Sequence, residues 1–195
     1  GSKIQRWSQI RQGWPNQPLR LYGAGADSGT FDYFTEAIVG KAKAIRTDYQ
    51  PTEDDNVTIK GVAGDTYAMG FLGYAYYEEN KDKVKAVAID HGKGCVLPSR
   101  ETVLDGTYQP LSRPLFIYVN VKSLDRPEVQ AFVDFYLSPA ARRAIRSTGY
   151  VELPSEAYRI GQELVKRRKA GTFFMELPAG TPLSKFIQEL DKELR

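Results

Sequence analysis

Two hydroxyls and a set of backbone amides without helical partners converge at Ser28, Gly29 and Thr30. These three lie inside residues 19–36, LRLYGAGADSGTFDYFTE, which read as a short apolar strand, a glycine-rich turn and a helix opening at the Ser-Gly-Thr triplet. The first turn of a helix leaves its N–H groups without intrahelical acceptors and carries the positive end of the helix dipole. Oriented amides and hydroxyls at such a point suit a small tetrahedral oxyanion. A plain helix cap by Asp27 or Ser28 is the competing reading, although a cap alone does not need glycines on both sides of the turn.

Larger ligands and catalysis lack their parts. Gly23-x-Gly25 follows a strand and precedes a helix, but the third glycine of a dinucleotide fingerprint would fall at Ser28, and no acidic residue ends a following strand about 20 residues on. A P-loop needs Gly-Lys-Ser/Thr, and the triplet has no lysine. Asp54 and Asp55 are adjacent at a helix start and point in different directions, so they read as dipole-favourable caps and not as a catalytic pair. His91 and Cys95 are the single histidine and the single cysteine, which leaves a zinc site short of ligands and Ser28 without a histidine base. An anion held by dipoles gains from a full positive charge, and arginine offers a bidentate fork. Arg46 is the nearest candidate in sequence, with a surface arginine as the alternative.

These residues need a scaffold. The 195 residues are 42% hydrophobic and 12% aromatic, ample for a packed core, and 27 basic against 24 acidic side chains give a net charge of +3. Such a mild, evenly spread charge points away from nucleic acid and membrane surfaces, and residues 166–169 (KRRK) read as the solvated end of a helix. No apolar run approaches the roughly 20 residues that span a bilayer.

The pattern predicts a short helix and loop over 3–18, a strand over 19–22, and a helix with Phe31, Phe34 and Ile38 on its buried face, stopped by Gly40. A helix over about 52–63, a strand over 69–72, a short helix over 73–80 and a strand over 85–90 follow. After a loop over 91–98 and a helical turn over 100–106, residues 115–121 (LFIYVNV) carry the strongest strand signal of the chain. Beyond Arg126 the pattern is helical. One helix has Val129, Phe132, Val133 and Tyr136 on a face, one opens at Pro139, one is capped by Ser155, and one over 182–194 buries Leu183, Phe186, Ile187, Leu190 and Leu194. The expected class is α/β with a mixed sheet flanked by helices, followed by a C-terminal helical segment.

Four stretches in order, GAGADSGTFDYFTE (23–36), RTDYQPTEDDNV (46–57), MGFLGYAYYEEN (69–80) and LSRPLFIYV (111–119), resemble the periplasmic phosphate-binding proteins of ABC phosphate importers. The resemblance covers most of residues 3–160. It implies a periplasmic-binding-protein-like fold (type II) in which phosphate is clamped between two lobes, with inorganic phosphate as ligand and no cofactor. The membrane permease of an ABC importer is the implied partner, in the periplasm or cell envelope. Residues 3–113 would be the second lobe, and 114–195 a crossover strand and helices packing on the first.

Ser28, Gly29 and Thr30 match the family's phosphate-binding S-G-T. Many relatives place an arginine just ahead of it, where this chain has Gly23, Ala24, Gly25 and Ala26. That departure directs the expectation of a positive charge to Arg46, with Asp27 orienting it or accepting the proton of hydrogen phosphate. Accepting that proton rejects sulfate, which has none to offer at neutral pH. Gly1-Ser2 reads as a tag remnant, and the expected N-terminal part of the first lobe is missing. The expectation is therefore a truncated solute-binding protein that holds phosphate weakly and self-associates through helices that have lost a lobe. A phosphate-sensing or scaffold module and, from another class, a phosphate-ester hydrolase are the alternatives.

Overall fold

A computed structural model describes residues 3–172 and 177–195, so the Gly1-Ser2 remnant lies outside the described residues. The chain forms two compact units, Gly1–Val87 and Ala88–Arg195.

The first unit is built on three strands, β1 (Arg20–Ala24), β2 (Gln50–Thr52) and β3 (Ala68–Phe71), in the order β2-β1-β3. All pairings are parallel, with Ala24 opposite Thr52 and Gly23 opposite Phe71. The expected mixed sheet is therefore corrected to a parallel one. Each strand is followed by a helix that carries the chain back, so every new strand enters from the same end. These helices are α1 (Gly29–Val39), α2 (Asp55–Ala63) and α3 (Tyr74–Glu79).

Alternation along β1 decides which helix covers which face. A Cβ on Gly23 would stand 2.2 Å from the Phe71 ring, which stacks on Phe34 of α1 at 4.1 Å and 3°. On the other face the ring of Tyr22 lies over Gly61 of α2, where a Cβ would meet it at 2.4 Å. Glycine at these two places lets aromatic rings lie flat between helix and sheet. Helix α1 starts at Ser28 and ends at Gly40, whose φ of 75° closes a left-handed cap. Phe31 is buried, but Ile38 is 50% exposed, and the inner place one turn on from Phe31 belongs to Thr35. The Thr35 hydroxyl donates to the Phe31 carbonyl and accepts from the Lys43 amide, which ties down the chain after the helix. Among the described residues ahead of β1 the one helical element is a 3-10 turn, Trp7–Gln9, where the Trp7 indole donates to the Tyr67 carbonyl and the Leu19 amide to that of Gln5.

In the second unit the strand expected over 85–90 shrinks to β4 (Ile89–Asp90), paired antiparallel with β5 (Cys95–Val96) inside the expected loop. The Asp90 carboxylate accepts from the Gly92 and Gly94 amides and fixes the turn. Helix α4 (Arg100–Leu104) follows, capped by Ser99.

Residues 115–120 form no strand. Leu115 is 60% and Tyr118 78% exposed, and the chain passes into a 3-10 helix, Val121–Asp125. β-Branched and aromatic residues favour a pleated, half-buried surface, and among the described residues no neighbouring strand supplies one. Helices α5 (Pro127–Tyr136), α6 (Pro139–Ser147), α7 (Ser155–Lys166) and α8 (Leu183–Lys192) complete the unit around Leu124, Val133, Ala141, Tyr158, Ile160 and Leu164. Phe132 on α5 stays 61% exposed. Pro154, not Ser155, occupies the cap of α7, and the Ser155 hydroxyl accepts from Arg142. No α8 residue is fully buried; the apolar positions expected in its core, from Leu183 to Leu194, are half-buried. Among the described residues no helix is long and apolar enough to cross a membrane.

Candidate functional site: the glycine turn and the start of α1

Because β1, β2 and β3 run in one direction, the turns after them all emerge at one edge of the sheet, and α1, α2 and α3 all begin there. At the centre, β1 runs into the glycine turn. The Gly25 amide donates to the Thr52 carbonyl at 2.9 Å, extending the β1–β2 ladder by one bond, and the Ser28 amide donates to the Gly25 carbonyl at 3.1 Å. Ser28 is extended (φ −91°, ψ 129°), and its Oγ accepts from the Thr30 amide at 3.2 Å. The turn thus presents the amide end of an 11-residue helix with a serine hydroxyl that still has its own proton to donate. Gly29 and Asp27 are exposed and Thr30 is half-buried.

Asp27, Ser28, Gly29 and Thr30 are therefore brought together, and Arg46 is not. Arg46 closes both arms of its fork on Asp48, Nε at 2.5 Å and Nη2 at 2.6 Å, and its Nη1 donates to the Ile4 carbonyl at 2.7 Å. Ile4 is next to Gln5, whose carbonyl holds the Leu19 amide at the entry to β1. The triplet lies beyond the exit of β1, five residues further on, which at about 3.3 Å per residue is roughly 15 Å away. The guanidinium expected at the cradle is held by Asp48 and the Ile4 carbonyl. The hydrogen bonds it donates to Asp48 come first among the causes that raise the Arg46 guanidinium above its ordinary value, while Asp48 is lowered chiefly by Arg46. The Arg-Thr-Asp motif supplies its own counter-ion.

Three residues that sequence reasoning did not assign to the site lie at this edge. Glu53 follows β2 directly, and its carboxylate folds over the turn: Oε1 accepts from the Asp27 amide at 3.4 Å, and a Cβ on Gly25 would stand 1.9 Å from it. The Tyr49 hydroxyl donates to the Ala24 carbonyl at 3.2 Å. Burial first, and the Glu53 charge second, raise the Tyr49 phenol. Asp55, in the first turn of α2, is raised chiefly by burial, against a lowering by the Gly73 amide, with Asp54 adding to the rise. The register of β2 reveals Glu53, whereas the sequence pattern places it inside the start of the helix expected over about 52–63.

Asp54 caps α2 through the Asn56 amide at 2.9 Å, as its position predicts. His91 and Cys95 belong to the β4–β5 hairpin of the second unit, and among the described residues no group of three His, Cys, Asp or Glu side chains could hold a metal.

A model described as the PBP superfamily domain matches residues 2–140. The chain belongs to the PBP superfamily. Within it, this PBP chain is 50% identical over 188 residues to protein SphX of Synechocystis sp., covering 93% of this chain and 56% of that relative. It is 35% identical over 159 residues to the phosphate-binding protein PstS of Staphylococcus haemolyticus, covering 80% and 49%. The crystal structure of a possible phosphate-binding protein from Planctomyces limnophilus superposes with a TM-score of 0.72 at 44% identity, over 87% of this chain and 60% of that one. The PBP chain thus spans about half the length of the curated relatives it matches.

Proposed function

We propose that this chain binds inorganic phosphate at the start of α1, through Ser28, Gly29 and Thr30 with Asp27 beside them, and performs no chemistry on it. The observation that carries this reading is the helix N-terminus aimed past a glycine turn at the common exit edge of a parallel sheet. A relative 35% identical is named a phosphate-binding protein, which supports phosphate as the anion. On this reading the chain belongs to a solute-binding protein that delivers phosphate to the membrane permease of an ABC importer, in the periplasm or cell envelope. Residues 3–113 would be its second lobe and 114–195 would pack on the first. The exposure of Leu115 and Phe132 supports self-association of this chain by itself.

Equilibrium dialysis with labelled inorganic phosphate tests the reading. The expected result is saturable binding weaker than micromolar, reduced at least fivefold by Thr30→Ala. No saturable binding at millimolar phosphate, or turnover of a chromogenic phosphate ester, would contradict it.

A further inference from the structure

The peptide that joins Ala24 to Gly25 is held at both of its polar edges. Its N–H, that of Gly25, donates to the Thr52 carbonyl at 2.9 Å, and its carbonyl, that of Ala24, accepts from the Tyr49 hydroxyl at 3.2 Å. Because a peptide is planar, the two bonds together clamp one rigid plane. Ala24 is 1% exposed, and the pairing of β1 with β3 ends one residue earlier, at Gly23 opposite Phe71. The Ala24 carbonyl therefore stands past the last rung of that ladder where solvent hardly reaches, and an unmade bond there is costly. Tyr49 supplies the bond.

The tyrosine is itself held in place. It directly precedes β2, and its ring tilts against Phe71 at 6.5 Å and 32°. Phe71 stacks in turn on Phe34 of α1. The hydroxyl is thus aimed by the same aromatic layer that seats α1 on the sheet. Burial, and after it the Glu53 charge, raise the phenol, so it stays a proton donor across the neutral range.

The cradle begins directly after this plane. The Gly25 carbonyl accepts from the Ser28 amide at 3.1 Å, and Ser28 Oγ from the Thr30 amide at 3.2 Å. Glycine at position 25 fixes no direction by itself. A tilt of the Ala24–Gly25 plane would carry the Gly25 carbonyl away from the Ser28 amide and loosen the entry to α1.

We propose that Tyr49 is a positioning residue of the phosphate cradle, fixing the direction of the glycine turn through the Ala24 carbonyl without touching the ligand; the inference rests on the phosphate reading above. The role belongs to the hydroxyl and not to the ring, which separates it from plain packing.

The test uses the full chain, Tyr49→Phe, and a chain with a ring-fluorinated tyrosine at position 49. The first variant removes the hydroxyl and keeps the ring on Phe71; the second keeps a hydroxyl of the same reach. Phosphate affinity is measured by equilibrium dialysis at neutral pH, and amide hydrogen exchange is followed in the phosphate-free chain. Tyr49→Phe should weaken phosphate binding at least fivefold and speed exchange at Gly25 and Ser28 at least tenfold, with exchange at Tyr22 in the middle of β1 within twofold of wild type. The fluorinated residue should keep both affinity and exchange within twofold of wild type. Unchanged phosphate affinity in Tyr49→Phe overturns the positioning role and leaves the phosphate reading standing. Equal weakening by both variants, or exchange accelerated as much at Tyr22 as at Ser28, assigns the effect to packing and overturns the role as well. Absence of saturable phosphate binding by the wild-type chain overturns the phosphate reading and the inference with it.

Discussion

Arg46 and Asp48, two residues apart, form a closed fork-to-carboxylate pair whose third arm reaches the Ile4 carbonyl. The Arg46 side chain is only 14% exposed, so the pair anchors the segment before β1 rather than facing incoming ligand. Arg46→Ala should lower stability by about 1 kcal/mol through the lost bond to Ile4. Phosphate affinity should stay within twofold of wild type, and a tenfold loss with the fold intact would return Arg46 to the binding site.

The Phe34 and Phe71 rings, parallel within 3° and 4.1 Å apart, join α1 to the sheet directly beneath the glycine turn. Both are half-buried. Phe34→Ala removes the stack and part of its apolar contact, which should cost about 2 kcal/mol in urea unfolding. Because the ring helps fix the position of α1, phosphate binding should weaken with it. A variant as stable as wild type would show that the ring does not carry that interface.

Asp55 gives the pH dependence a sign. Its carboxyl is raised above the ordinary value, by burial before any other cause, so the folded chain holds that proton more tightly than the unfolded chain does. The stability this contributes is fully present below the ordinary carboxylate value and is lost as pH rises through the raised one. Asp55→Asn can keep an oxygen for the Gly73 amide without the buried charge. The variant should therefore be more stable than wild type at neutral pH, with the difference vanishing under acid conditions. Urea midpoints across that range check it, and a variant less stable at neutral pH would contradict the sign.

What could be read from the sequence was local. The start of α1 at Ser28, its stop at Gly40 and the cap of α2 by Asp54 depend on a few neighbouring residues, and all three stand in the structure. The features that escaped depend on where distant segments meet. Placing Arg46 required the path of the chain into β2, and finding Glu53 required the register that sets Ala24 opposite Thr52. Ile38 has the helical spacing of Phe31 but is half exposed, and the buried place one turn on from Phe31 is held by Thr35, whose hydroxyl serves the helix and the Lys43 amide. Residues 115–120 have side chains suited to a strand, yet a strand also needs a neighbour, which composition cannot reveal.

The central claim is that phosphate binds at the amide end of α1. The most direct measurement is the amide NMR spectrum of the chain during titration with inorganic phosphate, compared with that of Ser28→Gly, which removes the hydroxyl at little cost to the helix cap. The predicted result is saturable shifts centred on Gly29 and Thr30, shared by Asp27 and weakened at least fivefold in the variant. Shifts that never saturate, or that centre on residues outside the glycine turn, would contradict it.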